Sequence, residues 1–103
     1  MIAIHLDVAV SPAKEPEMLR YFETVFRPAA MRFEGYIDVR MLKLRAAVVG
    51  TAPAGVNYRF ALTYRSEELR QKWVTSDIHA TVWGEMEKTF SSATYDVLLF
   101  DAV

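Results

Sequence analysis

From residue 2 to residue 10 the chain alternates, with Ile2, Ile4, Leu6, Val8 and Val10 on one side and Ala3, His5, Asp7 and Ala9 on the other. A period of two is that of a strand with one buried face, so a first strand is predicted here. Ser11, Pro12 and Pro16 interrupt the alternation, and from about Glu15 the period lengthens. Met18, Leu19, Phe22, Val25, Phe26 and Ala29 then form one helical stripe. Pro16 suits the first turn, where a missing N–H breaks no intrahelical bond. Pro28 falls late in the stripe, where its ring crowds the preceding turn and a donor is lost, and predicts a kink or an end.

After Gly35, the residues Ile37, Val39 and Met41 alternate with polar ones until Leu42 and Leu44 break the phase, which a β-bulge near Met41 would explain. Residues 46–57, AAVVGTAPAGVN, predict a long apolar loop of the kind that is often functional or interfacial. Tyr58, Phe60, Leu62 and Tyr64 alternate with Arg59, Ala61, Thr63 and Arg65 as a third strand. Ser66 is placed as the N-cap of a short helix that runs through Glu68 and Leu69 to Trp73. Ser76 or Asp77 caps a second helical segment, in which Ile78, Val82, Met86 and Phe90 recur at four-residue steps. Gly84 either weakens that helix by about 1 kcal/mol relative to alanine or permits a close approach. The closing YDVLLFDAV predicts a strand buried on both faces around Val97 to Phe100.

The order β-α-β-β-α-β predicts an α+β, ferredoxin-like domain over residues 1–103: a four-stranded antiparallel sheet with both helices on one face. The helices would cover Ile2, Ile4, Leu6, Phe60, Leu62 and Val97. The opposite face would expose Ala3, Ala61, Leu98, Phe100, Leu42 and Leu44 beside His5, Asp7 and Arg59. That is more apolar surface than a monomer usually leaves in water, and a second copy of the sheet is the simplest cover.

Composition narrows the function classes. A chain of 103 residues is one domain, long enough to hold a core. Lys and Arg number 12 against 13 Asp and Glu, and no basic stripe offers phosphates a partner, so nucleic acid is set aside. There is no cysteine, which removes disulfides, thiolate metal sites and a thiol nucleophile, and suits a reducing cytoplasm. His5 and Asp7 interrupt any signal-peptide core, and no apolar run approaches the roughly 18 to 20 residues that span a bilayer. A cytoplasmic protein without membrane contact is expected.

The stretch WVTSDIHATVW, residues 73–83, gathers both tryptophans and one of two histidines. Trp73 and Trp83 could stack on a flat ligand or fill the space between helix and sheet. His5 and Asp7 share a strand face, as do Arg59 and Arg65 on another, and pairing among them is expected if that face is buried. Two histidines on separate elements make a metal site improbable. No glycine-rich phosphate loop and no serine nucleophile elbow is present.

Two longer segments carry a resemblance. FRPAAMRFEGYIDVRML places a proline in the first helix before a Gly-aromatic step into the second strand. YRFALTYRSEELRQKW leads to the series Trp73, Ser76, His79. Over nearly the whole chain the pattern resembles the dimeric α/β-barrel superfamily, most nearly its antibiotic-biosynthesis-monooxygenase branch. The resemblance implies a homodimer with facing sheets and, in each subunit, a pocket between sheet and helices for a hydrophobic, aromatic small molecule. Its members include cofactor-independent oxygenases and haem-degrading enzymes. On the first of these, no cofactor is expected and His79 would be the proton acceptor, since an imidazole near neutral pKa suits removal of a phenolic or enolic proton. Trp73 and Trp83 would wall the pocket, and Tyr58 and Tyr64 would line it. The haem-degrading relatives place their iron-ligating histidine at the position held here by Trp83. A non-catalytic dimeric binding or stress-related module is the alternative from another class.

Overall fold

The computed structural model describes residues 1–92 and 94–103. Ile4 stands opposite Leu62 on one side and Leu99 on the other, which makes β1 (Ile2–Val8) an interior strand. Beside it lie β3 (Tyr58–Tyr64) and β4 (Asp96–Asp101), with β2 (Tyr36–Lys43) outside β3. The sheet order is β2-β3-β1-β4 and every pairing is antiparallel. The helical elements are α1 (Glu15–Tyr21), a π-helical turn (Phe22–Phe26), α2 (Arg27–Met31), α3 (Glu67–Val74) and α4 (Asp77–Glu87). They pack on one face of the sheet, giving the α+β ferredoxin-like fold. The two interior strands are those with the cleanest alternation, because only a strand with one covered face and one open face needs to alternate strictly. No helix among the described residues is long and apolar enough to cross a membrane.

The core joins Ile4, Phe60, Leu62 and Val39 of the sheet to Met18, Phe22, Phe26, Trp73 and Met86 of the helices. Pro28 does not end the first helix. The Arg27 N–H reaches back to the Phe22 carbonyl, so the turn just before the proline is widened by one residue. A π turn at this point accommodates the donor that Pro28 lacks, and the helix continues to Met31. Phe22 and Phe26 are buried at either end of that turn, whereas Leu19 and Val25 of the predicted stripe are partly exposed.

Three other expectations change. The irregularity in β2 lies between Tyr36 and Asp38, not near Met41. From Val39 to Lys43 the pairing with β3 is regular, and Leu42 shares the open face with Arg40, opposite Arg59. What looked like a slip of phase is an apolar residue on the uncovered face. β4 is not buried on both faces: Val97, Leu98, Leu99 and Phe100 are each 45 to 49 % exposed. It is an edge strand paired only to β1. Gly84 makes no close approach, since nothing lies within 4 Å of where its Cβ would be.

Candidate functional site

Ser76 organises the break between α3 and α4. Its Oγ accepts from the His79 N–H at 3.1 Å and its hydroxyl donates to the Trp73 carbonyl at 2.7 Å. Ser76, rather than Asp77, is therefore the cap of α4, in the extended backbone conformation that caps require. The cap ties the end of α3 to the first turn of α4. It brings the His79 and Trp73 rings to 4.9 Å in an edge-to-face arrangement. One helical turn further on, Trp83 lies nearly parallel to His79 with centroids 6.2 Å apart.

These three rings border a cavity of about 210 Å³ between the helices and the sheet. Phe26 of the π turn, Phe60 and Leu62 of β3, Ile4 and Leu6 of β1, and Val97 of β4 supply most of the remaining wall. Arg70 and Val74 of α3 and Tyr95 ahead of β4 complete it. Among the described residues, no carboxylate lines the cavity. The Trp83 indole N–H donates to the Tyr95 hydroxyl at 2.9 Å, which in turn donates to Glu87 Oε2 at 2.7 Å. The Trp73 indole N–H is buried with no acceptor among the described residues.

Burial holds the His79 pKa below its ordinary value, and the positive charge of Arg70 lowers it further against a smaller opposing pull from Glu87. At neutral pH the imidazole is uncharged and able to accept a proton.

Of the residues singled out in the sequence, His79, Trp73 and Trp83 meet at this cavity, while Tyr58 and Tyr64 stand apart from it. The Tyr64 hydroxyl donates to the Ala30 carbonyl at 3.1 Å in the core, and burial raises its pKa. The pKa of Tyr58 is pushed up to about 12 by burial and by the neighbouring Glu15 carboxylate. Their alternation put both on the correct face but could not say where along the sheet the helices leave space. His5 is on the open face, its ring 5.0 Å from Phe100, with a pKa lowered by burial and then by Arg59. Asp7 on the same face accepts two hydrogen bonds from Arg59, at 2.8 and 3.0 Å, which hold its carboxyl below the usual range. Arg65 is not part of this pair and lies 3.7 Å from Glu34. Among the described residues, no three His, Asp or Glu side chains gather as a metal site would require.

Arg70 and Tyr95 were not singled out from the sequence. Arg70 precedes Trp73 by three residues, hence on the same helix face, and that spacing was the available signal.

No family model matches the chain, and no curated protein matches it. Solved structures do match in fold. A variant of SnoaB, a cofactor-independent oxygenase from Streptomyces nogalater, superposes with a TM-score of 0.75 at 13% identity over 98% of this chain and 91% of that one. A Caulobacter crescentus protein, provisionally described as an antibiotic biosynthesis monooxygenase, gives 0.74 at 20% identity over 99% and 89%. A conserved protein from Methanosarcina mazei Go1 gives 0.75 at 12% identity over 96% and 89%. The chain thus has the ferredoxin-like fold found in structures of the antibiotic-biosynthesis-monooxygenase type.

Proposed function

We propose that the protein binds a small aromatic molecule in the cavity beside His79 and oxidises it with molecular oxygen, without a cofactor, as a homodimer. The observation that carries the reading is that an uncharged, half-buried histidine borders a largely apolar space walled by two indoles. Likeness in fold to a cofactor-independent oxygenase points the same way. An engineered cavity of about 150 Å³ holds benzene. The 210 Å³ here therefore suits about two fused rings, below the 300 Å³ or so at which drug-sized pockets begin.

The chemistry needs one base and one oxidant. His79 takes the hydroxyl proton of a phenol, leaving an anion whose ring carbon is electron-rich. That carbon transfers an electron to O₂, the radical pair combines, and the resulting ring peroxide anion takes the proton back from His79 to give the hydroperoxide. The proton on the same carbon is then removed by the neutral imidazole as the O–O bond breaks, hydroxide leaves and is protonated to water, and the carbon becomes a carbonyl. For 1-naphthol the sum is C₁₀H₈O + O₂ → C₁₀H₆O₂ + H₂O, with one oxygen atom in the quinone and the other in water. Exclusion of water by Trp73, Trp83 and Phe26 would protect the hydroperoxide until it collapses.

A haem reading would have to use His79 as its ligand, one helical turn before the position that the haem-degrading relatives use: Trp83 has no lone pair for a metal, its N–H is committed to Tyr95, and the cavity is small for a tetrapyrrole.

The test is oxygen uptake with 1-naphthol, with the quinone followed by absorbance. The wild-type protein should consume oxygen and form quinone in equal amounts. His79→Gln should lose at least a hundredfold in rate, the low end of what a positioned base contributes. An unchanged rate in that variant would remove the base from the mechanism. Binding of 1-naphthol without any turnover would favour the non-catalytic binding module.

A further inference from the structure

We infer that Arg70, held in place by Glu67, is the group that binds the ionised oxygen of the ligand, so that the cavity selects acidic aromatic molecules in their anionic form. This inference rests on the binding reading above and adds a residue and a charge state to it.

The first support is the chemistry of the lining. The lining residues that carry polar side-chain groups are Arg70, Trp73, His79, Trp83 and Tyr95. Tyr95 is already occupied by Trp83 and Glu87. Among the described residues, the buried Trp73 N–H has no acceptor, and neither a carboxylate nor an amide side chain lines the space. An arginine and an indole N–H are donors only. A ligand that satisfies this wall must bring acceptor oxygen on an apolar body.

The second support is the way Arg70 is held. A long cationic side chain on a helix usually extends its head into water. Here the side chain is only 11 % exposed. Its Nε donates to Glu67 Oε2 at 2.7 Å and its Nη2 to Glu67 Oε1, a two-point grip that fixes the plane of the guanidinium. Glu67 is itself steadied by Gln71 Nε2 at 2.8 Å. Nη1 is left without a side-chain partner among the described residues. Glu67 is 39 % exposed, so water screens part of its charge. A second anion on the apolar side would meet less screening and be held more strongly.

A charge at this point also helps the proton transfer. Arg70 disfavours the imidazolium form of His79 when the cavity is empty. A bound phenolate would offset that cost, so proton transfer to His79 and anion formation on the ligand support each other.

The test uses 4-nitrophenol, whose absorbance reports its ionisation directly, and its neutral methyl ether 4-nitroanisole. With the wild-type protein, bound 4-nitrophenol should ionise about one pH unit lower than in solution, a tenfold preference for the anion. Arg70→Gln should abolish the shift while changing 4-nitroanisole affinity by less than about twofold, and Arg70→Lys should keep part of it. Bound 4-nitrophenol that titrates as in solution, or a shift that survives in Arg70→Gln, would overturn the assignment even where 4-nitroanisole binds. If neither compound binds, the cavity reading falls and this assignment falls with it.

Discussion

The imidazole of His79 meets the indole of Trp73 edge to face, with ring centroids 4.9 Å apart and planes at 87°. The contact ties a titratable ring to a fluorescent one in a half-buried place, which makes protonation measurable. The native pKa of His79 lies below the ordinary 6.5. Between that lowered value and 6.5 the unfolded chain binds more protons than the folded one, so stability rises with pH across the window. The contribution is full above about 6.5, is lost as pH falls toward the native pKa, and changes no further below it. Tm should decline over that window, and His79→Gln should flatten the decline. His5 is shifted in the same direction, so a residual slope in His79→Gln should vanish in the double variant with His5→Gln. Tryptophan emission should be quenched with a midpoint below 6.5, and a midpoint at or above that value would contradict the buried, uncharged imidazole.

Two glycines should respond in opposite senses to alanine. Gly84 is in α4 with nothing within 4 Å of its absent Cβ, so Gly84→Ala should stabilise by about 1 kcal/mol through the backbone alone. Gly35 has φ of +91°, and a Cβ there would stand 2.6 Å from Leu69 Cδ1 and 2.8 Å from its Cβ. Strain and overlap act together in Gly35→Ala, which should cost about 2 to 4 kcal/mol. Denaturant midpoints of the two variants check both signs.

Tyr95 links the start of β4 to α4 by accepting from Trp83 and donating to Glu87. Tyr95→Phe keeps the ring and removes both bonds, leaving the Trp83 N–H without its partner. A loss of about 1 kcal/mol is expected, with a shift in tryptophan emission as the indole changes surroundings. No change in either would mean that the link is idle.

Leu98, His5, Ala61 and Arg40 form one row across all four strands on the uncovered face. If a second copy covers that face, light scattering at micromolar concentration should give the mass of two chains, and Leu98→Lys should halve it. A wild-type monomer under those conditions would remove the proposed assembly.

The sheet was legible in the sequence where burial is one-sided. β1 and β3 alternate because each has one face under helices, and the caps Ser66 and Ser76 announce themselves by side chain and position. β4 was misread because Val97 to Phe100 form an unbroken apolar run, the usual mark of burial on both sides. The single chain leaves all four half-exposed. Leu42 suggested a bulge because it breaks the alternation of Ile37, Val39 and Met41, although an apolar residue on the uncovered face breaks it equally well. The cavity was half legible: Trp73, His79 and Trp83 lie in eleven residues, but Arg70, Tyr95 and Phe26 reach it from other segments or in another guise. Spacing along one helix cannot reveal what a neighbouring strand or turn contributes.

The π turn bears on all of this from a distance. Thr24 lies in it, exposed, its hydroxyl donating to the Arg20 carbonyl at 2.8 Å. An α-helix turns about 100° with each residue, so a surplus residue in a regular helix would swing everything beyond it by that angle. The widened turn takes up the surplus on the spot: Phe22 and Phe26 are both buried, and Ala29 and Ala30 still face the core they share. Deleting Thr24 would therefore displace the following turn by far less than about 100°, and the surplus residue is slack stored in the backbone, spent at the surface so that the cavity wall keeps its facing.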